Sequence, residues 1–143
     1  MTSDEQAIAN LINTAAARTD DGDFDAVGAL FADASFAVAG GPRVTGSQEV
    51  AALQSSAVAR HEDGTPRTHH VVSNLSIWVG DDAHTARAES RFTAFQATEK
   101  LSLQPIATGS YIDEFELSSG EWRFTSRLVR TVLAGDLSQY LVS

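Results

Sequence analysis

The residues best suited to chemistry gather in one stretch, Thr68-His69-His70-Val71-Val72-Ser73-Asn74-Leu75-Ser76-Ile77-Trp78-Val79. β-Branched and aromatic side chains dominate it, which predicts a strand. His70, Asn74 and Ser76 recur at the two-residue period that puts side chains on one face, so a polar line crosses an apolar element. His69 and His70, being adjacent, must point to opposite faces. The one that enters the interior can act as a general base, because an imidazole exchanges protons near neutral pH. The plain alternative for His70 is a half-buried strand histidine bonded to a backbone carbonyl.

Two further charged groups compete for attention. The run Thr19-Asp20-Asp21-Gly22-Asp23 places carboxylates at a helix junction, where each is either a cap or a reactant. Arg127 shares a strand face with Val129 and Leu133, so it is a cation among apolar neighbours and needs a carboxylate or an anionic ligand. Glu89, Asp113 and Glu114 are its candidate partners. Phe92 and Tyr111 are aromatics on strand-like segments, where core and pocket roles overlap.

These groups need elements to hold them. Ser3 with Gln6 forms a capping-box pattern, Asp4 and Glu5 suit the first turn, and Ile8, Leu11, Ile12 and Ala15 make an apolar stripe. A helix is predicted from there to about residue 18. Asp23 begins a second short helix over 24–31. Residues 34–39 alternate as a strand that Gly40-Gly41-Pro42 breaks, and Ser47 caps a third helix reaching about His61. After the histidine strand, segments 85–96, 108–117 and 122–133 read as strands. The turn signals Asp81-Asp82 and Ser118-Ser119-Gly120 make them antiparallel neighbours. Helices followed by a long meander predict an α+β domain with helices on one face of a curved sheet. The tail 135–141 is apolar enough to dock.

The chain has 143 residues, no cysteine and a formal net charge of −9. Its length predicts a single domain over 1–143. The acidity argues against nucleic acid, which requires a basic surface. Without cysteine there is no disulfide, thiolate nucleophile or sulfur-ligated metal, and no secretory or membrane-spanning segment is recognisable, so a cytoplasmic location is expected. The four histidines lack metal-site spacing: His69 and His70 diverge, and His61 and His84 fall at a helix end and a turn. No phosphate loop or nucleophile elbow occurs. Neither a metal nor a cofactor is expected.

Three local sequences, in this order, resemble the nuclear-transport-factor-2-like superfamily and within it the SnoaL-like group. They are Ala17-Arg18-Thr19-Asp20-Asp21-Gly22-Asp23-Phe24-Asp25 with Leu30-Phe31, then Thr68-His69-His70-Val71-Val72-Ser73-Asn74, then Tyr111-Ile112-Asp113-Glu114-Phe115 with Gly120-Glu121-Trp122-Arg123-Phe124. The resemblance implies a cystatin-like, cone-shaped half-barrel of about three N-terminal helices on a strongly curved, mostly antiparallel sheet around an apolar pocket. In the group's dehydratases and dehydrochlorinase, an Asp near the end of the first helix and a His on the strand after the third helix form a dyad, positions matched here by Asp20 and His70. Arg127 matches a pocket arginine of some relatives. Ala15 departs from the Tyr or Lys found there in several of them, and a second pocket histidine is absent from 85–96.

The combined expectation is a cofactor-independent lyase, a dehydratase or related elimination enzyme, acting on a small apolar and polycyclic molecule. Asp20, His70 and Arg127 are its expected catalytic residues, with Asn74, Val72, Phe92 and Tyr111 contacting substrate. The alternatives are an isomerase or cyclase using the same pocket, or a non-catalytic ligand-binding or assembly domain. A sheet face carrying Val71, Leu75 and Ile77 predicts a homodimer or homotrimer.

Overall fold

The computed structural model describes residues 2–143. Helix α1 spans Asp4–Asp20 and starts as its cap predicts, with Ser3 Oγ accepting from the Gln6 N–H at 3.2 Å. Ile8, Ile12, Ala15 and Ala16 form its buried stripe. Trp122 Nε1 donates to Asp4 Oδ1 at 3.0 Å and ties the helix start to the sheet. The helix runs two residues past the expected end, which carries Asp20 into its last turn. Gly22, at φ +74°, then turns the chain so tightly that a Cβ there would lie 2.3 Å from the Gly64 carbonyl oxygen. Helix α2, Phe24–Leu30, is capped by Asp23, whose carboxylate accepts from the Ala26 N–H.

Strands β1 (Ser35–Val38) and β2 (Arg43–Thr45) form a hairpin, and helix α3 covers Ser47–Ala57. Strand β2, only three residues long, carries no alternation that a sequence pattern would reveal. Gly46, at φ +87°, and not Ser47 occupies the cap position of α3, and Glu49 Oε1 accepts from the Thr45 N–H. The helix stops short of His61 because Val58 turns extended and bridges to Leu141 in the tail.

Four long strands complete the fold: β3 (Thr68–Val79), β4 (Thr85–Thr98), β5 (Leu101–Ser118) and β6 (Glu121–Ala134). The sheet does not close, and its order is β2-β1-β6-β5-β4-β3. All pairings are antiparallel except β1 with β6. β5 begins seven residues before its expected start; Pro105 concealed that extension. The segment runs beyond the end of β6, so its free side tolerates a residue with no N–H to give.

β4 shows how the sheet is lined. Ala86, Ala88, Ser90, Phe92, Ala94 and Gln96 are buried at every second position. The main core joins Ile8, Ile12, Val27, Phe31, Phe36, Val50, Phe115 and Phe124. A smaller cluster of Ala94, Leu101 and Ile106 lies at the other end, where Leu137 and Tyr140 of the tail pack on it. The tail docks as expected. No helix among the described residues is long and apolar enough to cross a membrane.

Candidate functional site

Between the two clusters lies a cavity of about 380 Å³, within the usual range for small-molecule sites. His70, Phe92, Tyr111 and Arg127 line its sheet wall, Phe31 and Leu53 its helical side, and Leu137, Tyr140 and Leu141 its tail side. The lining is mostly apolar, with a few converging polar groups.

Asp20 and His70 meet because the last turn of α1 passes the start of edge strand β3. Oδ1 of Asp20 lies 2.6 Å from His70 Nδ1 and accepts from Thr68 Oγ1 at 2.8 Å. Oδ2 accepts from the His70 backbone N–H, also at 2.8 Å. That amide sits on the free side of an edge strand, where nothing in the sheet would bond it. Burial pushes the Asp20 carboxyl upward, but the His70 hydrogen bonds and charge, with the Thr68 hydroxyl, outweigh it and hold the group below its ordinary value. A carboxylate can only accept, so the ring nitrogen facing it carries the proton. Nε2 is then the nitrogen with the free lone pair. The His70 side chain is only 7 % exposed.

Arg127 lies farther along the same sheet wall of the cavity, almost fully buried. Its Nε and Nη2 donate to the two carboxylate oxygens of Asp113 at 2.8 and 3.0 Å, a bidentate pair across the β5–β6 register. Of the three candidate partners, the register selects Asp113. Burial works against the guanidinium charge, but Asp113 more than compensates and raises its pKa. The guanidinium carbon lies 3.8 Å from the Tyr111 ring centroid. Tyr111 stacks on Phe92 at 4.8 Å, and Phe92 lies 6.1 Å from the His70 ring. One aromatic wall thus runs from the imidazole to the guanidinium.

The structure does not bring every expected residue to this place. Asn74 is exposed and lies at a bulge between Ser73 and Ser76, with φ +52°. The extra residue reverses the alternation, so the polar line does not continue past it. Before the bulge His70 and Val72 face inward; after it Ile77 and Val79 do, and Ser76 faces out. Ile77 therefore belongs to the core rather than to the outer face, where Trp78 stands 52 % exposed. Val72 packs on the main core and is not part of the cavity wall. His69 is exposed, and His61 Nε2 binds the Gln139 carbonyl oxygen at 2.8 Å. Among the described residues no cluster of His, Asp and Glu could hold a metal.

Sequence reasoning missed Thr68, Gln54, Thr131 and Tyr140. Thr68 steadies Asp20, and the other three line the cavity. For Tyr140 the apolar spacing of Leu137, Tyr140 and Leu141 was the available signal; it announced docking, not destination.

Fold and cavity define a class: helices on one face of an open sheet, enclosing a small-molecule-sized site. The chain belongs to the SnoaL-like domain family, whose pattern matches residues 1–128. No functionally curated protein matches the sequence. Among solved structures, an NTF2-like protein of cystatin-like fold from Novosphingobium aromaticivorans is 21 % identical, with TM-score 0.75 over 95 % of this chain and 86 % of that one. A proposed scytalone dehydratase from the same organism is 23 % identical, with TM-score 0.73 over 92 % of this chain and 86 % of its own. A proposed aromatic ring hydroxylase, again from that organism, is 19 % identical, with TM-score 0.72 over 93 % of both chains. At these identities the likeness establishes the fold.

Proposed function

We propose that the chain is a cofactor-independent lyase that removes water, or a similar leaving group, from a fused-ring hydroxy ketone. The observation that carries this reading is the 2.6 Å contact between Asp20 and His70 Nδ1, with His70 in the wall of an apolar cavity. Asp20 orients the imidazole and stabilises the imidazolium. His70 Nε2 takes a proton from the carbon beside the carbonyl, and the electron pair moves onto the carbonyl oxygen as an enolate. Arg127 and Tyr111 steady that oxygen. As the carbonyl reforms, the β carbon–oxygen bond breaks, and the imidazolium returns its proton to the departing hydroxyl. The products are water and an enone, with His70 restored.

Phe92 holds the ring face. A proton returned to another carbon instead would give isomerisation by the same groups. The proposed scytalone dehydratase among the similar structures agrees in reaction class. The test is a panel of fused-ring β-hydroxy ketones, followed by growth of enone absorbance. His70→Ala is expected to remove at least about 99 % of turnover, the lower end of what a positioned base contributes. Full turnover in that variant would end the proposal.

We also propose a homodimer or homotrimer that covers the outer sheet face at Val71, Leu75 and Trp78, which are 41 %, 38 % and 52 % exposed. Light scattering that gives a monomer at micromolar concentration would refute it.

A further inference from the structure

Most polar groups of the cavity wall are already engaged. His70 and Arg127 each hold a carboxylate. Among those that are not engaged are the hydroxyls of Tyr111 and Tyr140, which both line the cavity and have no hydrogen-bond partner among the described residues. Neither oxygen is sealed in the packed interior, where the unpartnered atoms are Gln54 Oε1, Ser90 Oγ and Gln96 Oε1. Both therefore touch open space. Burial raises the pKa of each, at Tyr111 against the opposing charge of Arg127, so both stay protonated donors across the neutral range. Arg127 adds a third donor, because Nε and Nη2 are spent on Asp113 and Nη1 is not.

Tyr140 reaches the cavity only because the tail folds back across it. Gly135 N–H donates to the Ile106 carbonyl at 2.7 Å, and the Ala59 N–H donates to the Tyr140 carbonyl at 2.7 Å. Val142 N–H donates to the Ala57 carbonyl at 3.0 Å. The Gln139 carbonyl accepts from His61 Nε2 at 2.8 Å and from Gln96 Nε2 at 3.1 Å. A segment clipped at so many points delivers its side chain to a defined place.

We infer that Tyr140 is a ligand-contacting residue, and that its hydroxyl and that of Tyr111 form a two-donor cradle for an acceptor oxygen of the ligand. Unpartnered neutral donors in a mostly apolar cavity favour a molecule that brings them an acceptor. A ring carbonyl meets that requirement, with its flat ring lying along Phe92 and the adjacent carbon turned toward His70. This inference rests on reading the cavity as a substrate site, and it names the group that selects the substrate's oxygen.

The test compares two probes of nearly equal shape, 1-tetralone and tetralin, by isothermal titration with wild type and with Tyr140→Phe, which keeps the ring and the docked tail. Wild type is expected to bind the ketone about tenfold more tightly, and Tyr140→Phe to cut that ratio about fivefold, the worth of one hydrogen bond, with tetralin unaffected. The carbonyl stretch of bound 1-tetralone should lie lower in wild type than in the variant. An unchanged ratio, or equal weakening for both probes, overturns the role of Tyr140 while leaving the His70 chemistry intact. Binding of neither probe to wild type overturns the cavity reading and this inference with it.

Discussion

Replacing Asp20 by Asn changes almost no volume, yet it reverses the hydrogen bonding around His70. The carboxylate accepts three bonds, from Thr68 Oγ1 at 2.8 Å, His70 Nδ1 at 2.6 Å and the His70 backbone N–H at 2.8 Å. The backbone amide can only donate, so the new carboxamide oxygen must take the Oδ2 position. Its NH2 group then replaces Oδ1 and donates to His70 Nδ1. The imidazole responds by moving its proton to Nε2, the nitrogen proposed as the base. A positioned base is worth about 10²- to 10⁴-fold, so kcat is expected to fall about 10³-fold, near 4 kcal/mol of transition-state stabilisation. KM, set mainly by the apolar wall, stays within about threefold.

Initial rates on an active ketone give the split, and long-range proton–nitrogen NMR of His70 reads the tautomer directly. A flipped tautomer with kcat within about tenfold of wild type would refute the reasoning. The same carboxylate marks the acid limb of stability. Its folded pKa lies below the ordinary 3.8, so its contribution is full above that value and is lost as pH falls through the folded pKa. Urea midpoints between about pH 2 and 6 should show a shallower acid limb in Asp20→Asn. Asp63, Asp82 and Asp136, also lowered, preserve part of it.

Asp113→Asn strands the Arg127 charge in a site where the arginine is 5 % exposed. It should cost about 3–5 kcal/mol by chemical denaturation, while Asp113→Leu combined with Arg127→Met recovers most of that; a cost under about 1 kcal/mol would mean that another acceptor takes over. Gly109→Ala places a Cβ 2.2 Å from the Arg130 carbonyl oxygen and 2.6 Å from two Phe92 ring atoms. A loss of about 1–3 kcal/mol is expected, together with altered binding of the tetralone probe through the displaced Phe92, and unchanged denaturation and binding would count against the packing described.

Much of the architecture was legible because its signals are local. Ser3 and Asp23 bond amides three residues on, and β4 alternates without a break through its buried positions. Such patterns depend on neighbours in sequence and survive any tertiary setting. The candidate base also announced itself, as a histidine in a strand. Its partner did not: Asp20 lies 50 residues away, and only the resemblance to the SnoaL-like group singled it out from the other carboxylates of its run.

By itself, then, the sequence determined the order of the elements apart from β2, the capped starts of α1 and α2, the candidate base and a docking tail. The tertiary structure alone decided which residues share a wall. One extra residue at the β3 bulge sent Asn74 outward and Ile77 inward, because a strand's facing reverses with every single-residue shift. The β5–β6 register chose Asp113 for Arg127, and the tail's return across β5 and α3 put Tyr140 into the cavity that Tyr111 lines. Each of these depends on the alignment of segments distant in sequence, which no local periodicity encodes.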